Sequence, residues 1–244
     1  MIVRLIDDDV YLITQPDHAW LAWAIMKQCV PLASRPRRDA ILHAIAEHDN
    51  GWTEEDAAPT VNPATGEVVD FVNAPLSMRH AVWPRGVARL AGDPWAAALV
   101  AQHAVTVYDR FRSDAEWTSF FARMEAARDA MVSACGLPPD DLADDYAFVR
   151  LADLISLTFC TGWTDEQRFG EWTVQPSGTR LMITPDAFGA AEIPIQIAAK
   201  LIPARRFRTD AELREAVSHA RTATLRGTVS GTRSASGRDS TTRT

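Results

Sequence analysis

The stretch HAIAEHDNGW, residues 43–52, closes an apolar, helix-patterned run with an adjacent histidine and aspartate, followed by Asn-Gly. Asn50 and Gly51 predict a stop, because both residue types tolerate the left-handed conformation that ends helices. The spacing predicts a helix over 38–47, with His48 and Asp49 at its exit. Neighbouring helical residues are about 100° apart, so both side chains can reach one centre at a helix end. His43 and His48 differ by about 140° and do not share a face. The fold then depends on how far this helical character extends to either side.

Upstream, residues 1–14 set β-branched and apolar residues around Asp7-Asp8-Asp9 and read as one strand or a tight hairpin. Pro16 and Asp17 open a helix over about 17–29 that carries His18 in its first turn. Downstream, 51–75 reads as an ordered loop with little regular structure. Helices are predicted over 76–90, 94–112, 114–135 and 140–161; Trp117, Phe120, Phe121, Met124 and Met131 fall at helical spacing in the third. After Gly162 the segments 171–174, 180–184 and 193–203 are β-like, and a capped helix covers 210–220. From Thr228 onward, nine of seventeen residues are Ser or Thr and no apolar pattern survives, which predicts disorder. The expected fold is mainly α, with all-α chemistry-bearing parts. It divides into a helical domain over 1–165 that begins with the short strand or hairpin, a small β-rich appendage with one helix over 166–227, and a tail over 228–244.

Composition narrows the function. Of 244 residues 47% are apolar, with eight tryptophans, enough for a sizeable core. The start MIVRLIDDDVYLI carries three aspartates, wrong for a signal peptide, and no apolar run reaches the roughly 18 residues that suggest a membrane-spanning helix. Cys29, Cys135 and Cys160 are odd in number and widely spaced, as expected of reduced thiols in a cytoplasmic protein. The net charge is -7. Four arginines and one aspartate from Arg226 onward leave about -10 on the first 225 residues. So acidic a body argues against binding nucleic acid through its phosphates.

Candidate chemistry lies in the helical part. His18, His48-Asp49, His80 and His103 fall on successive predicted helices or their ends. Asp153 stands among apolar neighbours in VRLADLISLTFC (149–160), where a carboxylate is costly unless paired, for instance with Arg150, or bound to metal. Imidazole and carboxylate donors suit iron, manganese or zinc.

This ordered set resembles the HD-domain superfamily, whose pattern is a histidine, a His-Asp doublet and a distal aspartate. HDNGW is similar to the family's doublet followed by one residue and glycine, and VRLADLIS to its distal helix. The two further histidines resemble the subgroup that binds two metal ions. The likeness spans about 15–165 and implies an HD-like helical bundle. QPDHA, HDNGW and the appendage are also similar to a bacterial family of HD-like proteins of unknown function. The likeness departs at Asn50, usually aliphatic, and at Trp52, where many members carry lysine or histidine. There is no GYP signature, so the cyclic-dinucleotide phosphodiesterase subgroup is not expected.

The resemblance implies that Asp49 bridges two divalent ions, iron or manganese with zinc also suited. His18, His48 and Asp153 would hold one ion, and His80 and His103 the other. With His48 and Asp49 at its heart, such a centre would activate water to hydrolyse a phosphoester or phosphoanhydride in a small molecule. Two aspartates against two divalent cations make the centre locally positive, which favours a small anionic substrate. Arg79, Arg85, Arg89 and Trp52 are the candidate substrate contacts. Two alternatives share the ligand set. One is a mixed-valence di-iron oxygenase that cleaves a C–C or C–P bond, as in the branch that includes myo-inositol oxygenase. The other is a metal-binding protein without catalysis.

Overall fold

The computed structural model describes residues 1–232. Strands β1 (Ile2–Ile6) and β2 (Asp9–Ile13) form an antiparallel hairpin across Asp7 and Asp8. Asp7 takes φ 52°, a left-handed conformation that aspartate adopts more readily than most residues. Helix α1 (Gln15–Met26) follows at once, with the Thr14 hydroxyl accepting the Asp17 N–H and proline in the first turn. A single turn, α2 (Val30–Ala33), leads to α3 (Arg38–Glu47), whose bounds are those the spacing predicts. The expected loop over 51–75 contains more structure. A 3-10 turn (Asn50–Trp52) runs into α4 (Thr53–Ala57), and Val61 and Val68 form an isolated bridge.

Helices α5 (Leu76–Arg89), α6 (Pro94–Val107), α7 (Thr118–Cys135) and α8 (Pro139–Thr161) complete the helical layer. The last two end on Gly136 and Gly162 at φ 63° and 74°. Among the described residues no helix is long and apolar enough to cross a membrane.

The C-terminal part corrects the expected fold class. Strands β3 (Gln167–Phe169), β4 (Trp172–Ser177), β5 (Arg180–Thr184) and β6 (Glu192–Pro203) are followed by α9 (Asp210–Ser218) and β7 (Arg221–Gly231). With the N-terminal hairpin they build one seven-stranded sheet, ordered β1-β2-β6-β7-β5-β4-β3. All neighbours are antiparallel except β5 and β7. The fold is therefore α+β, neither mainly α with a small appendage nor all-α.

The reason lies in β6. It buries alternate residues Ile193, Ile195, Ile197, Ala199 and Leu201 and exposes those between, as a strand covered on one face must. Its end pairs with β2 (Tyr11 opposite Leu201), so the hairpin becomes the edge of a sheet made mostly by residues far along the chain. β7 carries residues 228–231 into the sheet, where the sequence predicts a tail; residues 233–244 lie outside the described ones.

One hydrophobic cluster joins Ile25, Leu151 and Ile155 of α1 and α8 to Val174, Ile183 and Ile195 of the sheet. A smaller cluster of Leu12, Val68, Ile202, Phe207 and Leu213 packs α9 and the 59–69 segment against the sheet. α8 touches α1, α3 and α6 as well as β1, β3 and β4, which places Asp153 at the centre of the molecule.

Candidate metal centre

Five of the six predicted ligands converge. His18 comes from the first turn of α1, His48 caps α3, Asp49 follows it, His103 lies on α6 and Asp153 on α8. All five are at most 6% exposed. His18 Nε2 stands 2.9 Å from Asp49 Oδ2 and 3.1 Å from His48 Nε2. His48 Nε2 is 3.6 Å from both Asp49 Oδ2 and Asp153 Oδ1, and His103 Nε2 is 3.7 Å from Asp153 Oδ2. Two groups of potential ligand atoms result, His18/His48/Asp49 and His48/His103/Asp153, each within 4.8 Å.

The turn that aims the doublet works differently from the expected left-handed stop. Neither Asn50 nor Gly51 has a positive φ. The need for glycine is instead close approach: a Cβ on Gly51 would lie 2.0 Å from the Val82 carbonyl oxygen of α5. Gly86 makes the reciprocal space, since its Cβ would meet the Asn50 amide oxygen at 2.8 Å. The 3-10 turn thus lies directly on α5.

The outer nitrogens determine what the inner ones can do. His48 Nδ1 is 2.8 Å from the Ile45 carbonyl, an acceptor only, so it carries the hydrogen in the neutral ring. His18 Nδ1 is 2.8 Å from Ser156 Oγ, whose own O–H has the Ala152 and Asp153 carbonyls as acceptors. Where Ser156 gives its O–H to a carbonyl, His18 donates from Nδ1, and both Nε2 lone pairs then face each other beside two carboxylates. That array is repulsive unless a cation or a proton sits in it. Two histidines oriented through their far nitrogens are the arrangement metal-ligating imidazoles use.

With no ion, protonation fills the role. Burial opposes charge on His48, but Asp49 and Asp153 outweigh it and raise its pKa to about 9. Burial likewise opposes the charge of both aspartates. It is outweighed chiefly by His48, with His18 adding a hydrogen bond to Asp49, and both carboxyls stay below the usual range. His103 goes the other way: burial pulls it down to about 3, and its Nδ1 is 3.1 Å from the Tyr146 hydroxyl. The donors are nitrogen and carboxylate oxygen with no thiolate, a set that fits a divalent iron, manganese or zinc ion.

His80 is not brought into either ligand group. Its ring stacks on Phe120 (centroids 5.1 Å apart, planes at 20°) and meets the edge of Trp117 at 4.7 Å. Arg85 and Arg89 are also directed elsewhere. Arg85 donates to the Gly51 carbonyl (3.0 Å) and Glu55 (2.8 Å), and Arg89 to the Asn50 carbonyl and Glu54. Both hold the 3-10 turn and α4 to α5.

Arg79 and Trp52 do line a cavity of about 250 Å³ that opens onto Asp49, His103 and Asp153. Its other walls include Trp83, Tyr108, Trp163 and two further arginines, Arg110 and Arg150.

The family described as a protein of unknown function (DUF3891) matches residues 1–204. The chain belongs to this family. No curated protein and no solved structure matches it. The matched span contains the hairpin, α1 to α8 and β3 to β6, hence every residue of the centre and of the cavity wall; α9 and β7 lie beyond it.

Several functional side chains went unnoticed in the sequence. Ser156 and Tyr146 orient His18 and His103, but a serine or tyrosine in an apolar helix carries no distinguishing signal. Arg150 reads as the i, i+3 partner of Asp153; it makes that ion pair and also faces the cavity. Arg110 lies in the short 3-10 turn after α6, where the predicted helix to residue 112 gave it no direction.

Proposed function

We propose that the chain is an HD-type, metal-dependent hydrolase acting on a phosphoester or phosphoanhydride of a small molecule. The carrying observation is the opposed Nε2 pair of His18 and His48, 3.1 Å apart and flanked by Asp49 and Asp153, the two carboxylates that line an arginine-walled cavity. The chain order of histidine, His-Asp doublet and distal aspartate supports the HD resemblance.

His18, His48, Asp49 and Asp153 would hold the ion, with His103 beside them. When bound, a divalent ion supplies Lewis acidity and hydroxide at neutral pH. The protein does the rest. Arg79, Arg110 and Arg150 exceed the two cavity aspartates by one positive charge, which favours an anion even before a metal is counted. Trp52, Trp83 and Tyr108 exclude water and strengthen those charges. Burial raises Tyr108 to about 12, so its hydroxyl remains a hydrogen-bond donor. His103, kept neutral at physiological pH by burial, would present an uncharged ring at the cavity floor.

We infer one ion rather than two. His48 commits Nδ1 to Ile45 and has a single nitrogen to give, and His80 sits among α7 aromatics. The two-ion hydrolase and the di-iron oxygenase both require a second set of ligands. The three thiols, all unpaired, suit a cytoplasmic setting.

Metal analysis of protein purified without chelators, combined with a phosphoester panel, tests the reading. The expected result is about one ion per chain, with metal and turnover both lost in His48→Ala and Asp49→Ala. Two irons per chain with oxygen uptake would replace it by the oxygenase. Metal-loaded protein that hydrolyses nothing on the panel would refute it.

A further inference from the structure

A second cavity, of about 410 Å³, lies where the end of α8 meets the β4–β5 hairpin. It shares Trp163 with the first cavity but none of the candidate metal ligands. Its walls combine Phe159, Trp163, Pro176 and Leu181 with one charged group, Arg4 of β1. No acidic residue lines it.

Arg4 is held in place. Its Nη1 donates to the Phe159 carbonyl at 2.8 Å, in the last turn of α8, where a cation also suits the helix dipole. Gly162 lies against its guanidinium, so close that a Cβ there would come within 2.7 Å of both Cζ and Nε. That single bond leaves Nε and Nη2 without a partner among the described residues. Those two N–H groups form one side of the guanidinium, the fork that takes a carboxylate with two parallel hydrogen bonds. Thr158, also in the wall, is 1% exposed, and its hydroxyl has no hydrogen-bond partner. A buried hydroxyl without a partner is costly and is satisfied when a ligand supplies the acceptor.

We propose that this cavity is a binding site for a small monocarboxylate with an apolar body, its carboxylate on Arg4 and Thr158 and its body against Phe159, Trp163 and Leu181. One cation without a competing acid matches one negative charge. The fork matches a planar carboxylate better than a tetrahedral dianion. The apolar walls and the volume exceed what a bare inorganic anion would fill.

The site is tested by calorimetric titration of the full chain with benzoate, with benzamide as the neutral counterpart and inorganic phosphate as the dianion. Benzoate is expected to bind, and benzamide and phosphate at least about tenfold more weakly, the loss of one charge-assisted interaction. Arg4→Gln should weaken benzoate by a similar factor, whereas Arg110→Gln, in the other cavity, should not. Because Arg4 also caps α8, its variant could fail to fold. Thr158→Val removes only an unpartnered hydroxyl, so it should keep the melting temperature while weakening benzoate by about two- to tenfold. Benzoate binding that survives Arg4→Gln, or survives Thr158→Val unchanged, overturns the proposal. So does binding lost in Arg110→Gln, equal affinity for benzamide, or no binding to the wild-type chain. None of these outcomes depends on phosphoester turnover.

Discussion

Asp145→Ala is the sharpest test of how α3 and α6, two of the helices that support the centre, are held to α8. The Asp145 carboxylate is fully buried on α8. It accepts from Arg35 Nε and Nη2 (3.2 and 2.8 Å), Arg37 Nε (2.6 Å) and Trp95 Nε1 (3.0 Å). It thereby ties the entry of α3, where Arg37 is the N-cap residue, and the first turn of α6 to α8. Removing it leaves two guanidinium groups beside a buried, unpaired indole N–H. Breaking a buried ion pair from one side costs about 3–5 kcal/mol. The lower end applies, because Arg35 and Arg37 are 28% and 19% exposed and keep Asp144 at 3.5 Å and Asp141 at 3.0 Å. About 3 kcal/mol corresponds to a fall in Tm of roughly 6–12 °C for a chain of this size. Asp145→Asn, which keeps an acceptor of the same shape but not the charge, should fall between the two. Thermal and urea unfolding followed by circular dichroism measure both. A loss below about 1 kcal/mol in Asp145→Ala would show that the arginines are indifferent to the carboxylate and refute the reasoning.

Two further outcomes are expected. Gly51→Ala forces the 3-10 turn off α5, because its Cβ would meet the Val82 carbonyl at 2.0 Å. We expect a loss of about 1–3 kcal/mol together with weakened metal binding; a variant with wild-type Tm and metal affinity would disprove the close-packing account. The metal-free chain should also be most stable near pH 6.5. His48, raised to about 9, contributes fully below its unfolded value of about 6.5 and loses that contribution as the pH climbs towards 9. His103, lowered to about 3, subtracts stability as the pH falls from about 6.5, since the unfolded chain then takes up the proton first. A saturating divalent ion should abolish the alkaline decline, because it replaces the proton at the Nε2 pair. Urea titrations at several pH values in chelator and in metal decide this, and a flat profile from pH 6.5 to 9 in chelator would contradict it.

The long helices were legible from their length and apolar spacing, and α3 and β5 have the predicted bounds, whereas the short α2 and α4 were not predicted. The sheet was not, for two physical reasons. β7 (RTATLRGTVSG) is mostly Thr, Arg and Gly, and only Val229 in it is fully buried. Its strand state comes from hydrogen bonds to β5 and β6 rather than from its own pattern. Local patterning also cannot reveal that Tyr11 pairs with Leu201, and that long-range pairing turns a hairpin and an appendage into one sheet.

The direction of a candidate ligand followed from a helix end for some residues and from rotation about a helix for others: His103 and Asp153 lie mid-helix and face the centre, whereas His80 does not. His18 in a first turn, and His48-Asp49 at an exit, have few directions open to them. α5 shows the contrast. Arg79, Val82, Trp83 and Gly86 fall within about 100° of one another around the helix, and this stripe meets the doublet turn and the cavity. His80 falls outside one edge of the stripe, towards the aromatic rings of α7; Arg85 and Arg89 fall outside the other, towards α4. Residue type alone made all four polar side chains candidates. The close approach of Gly51 to Val82 and Gly86 selects Arg79 among them, because it decides which side of α5 faces the centre. The glycine that first reads as a helix stop is therefore also the residue that orients the neighbouring helix.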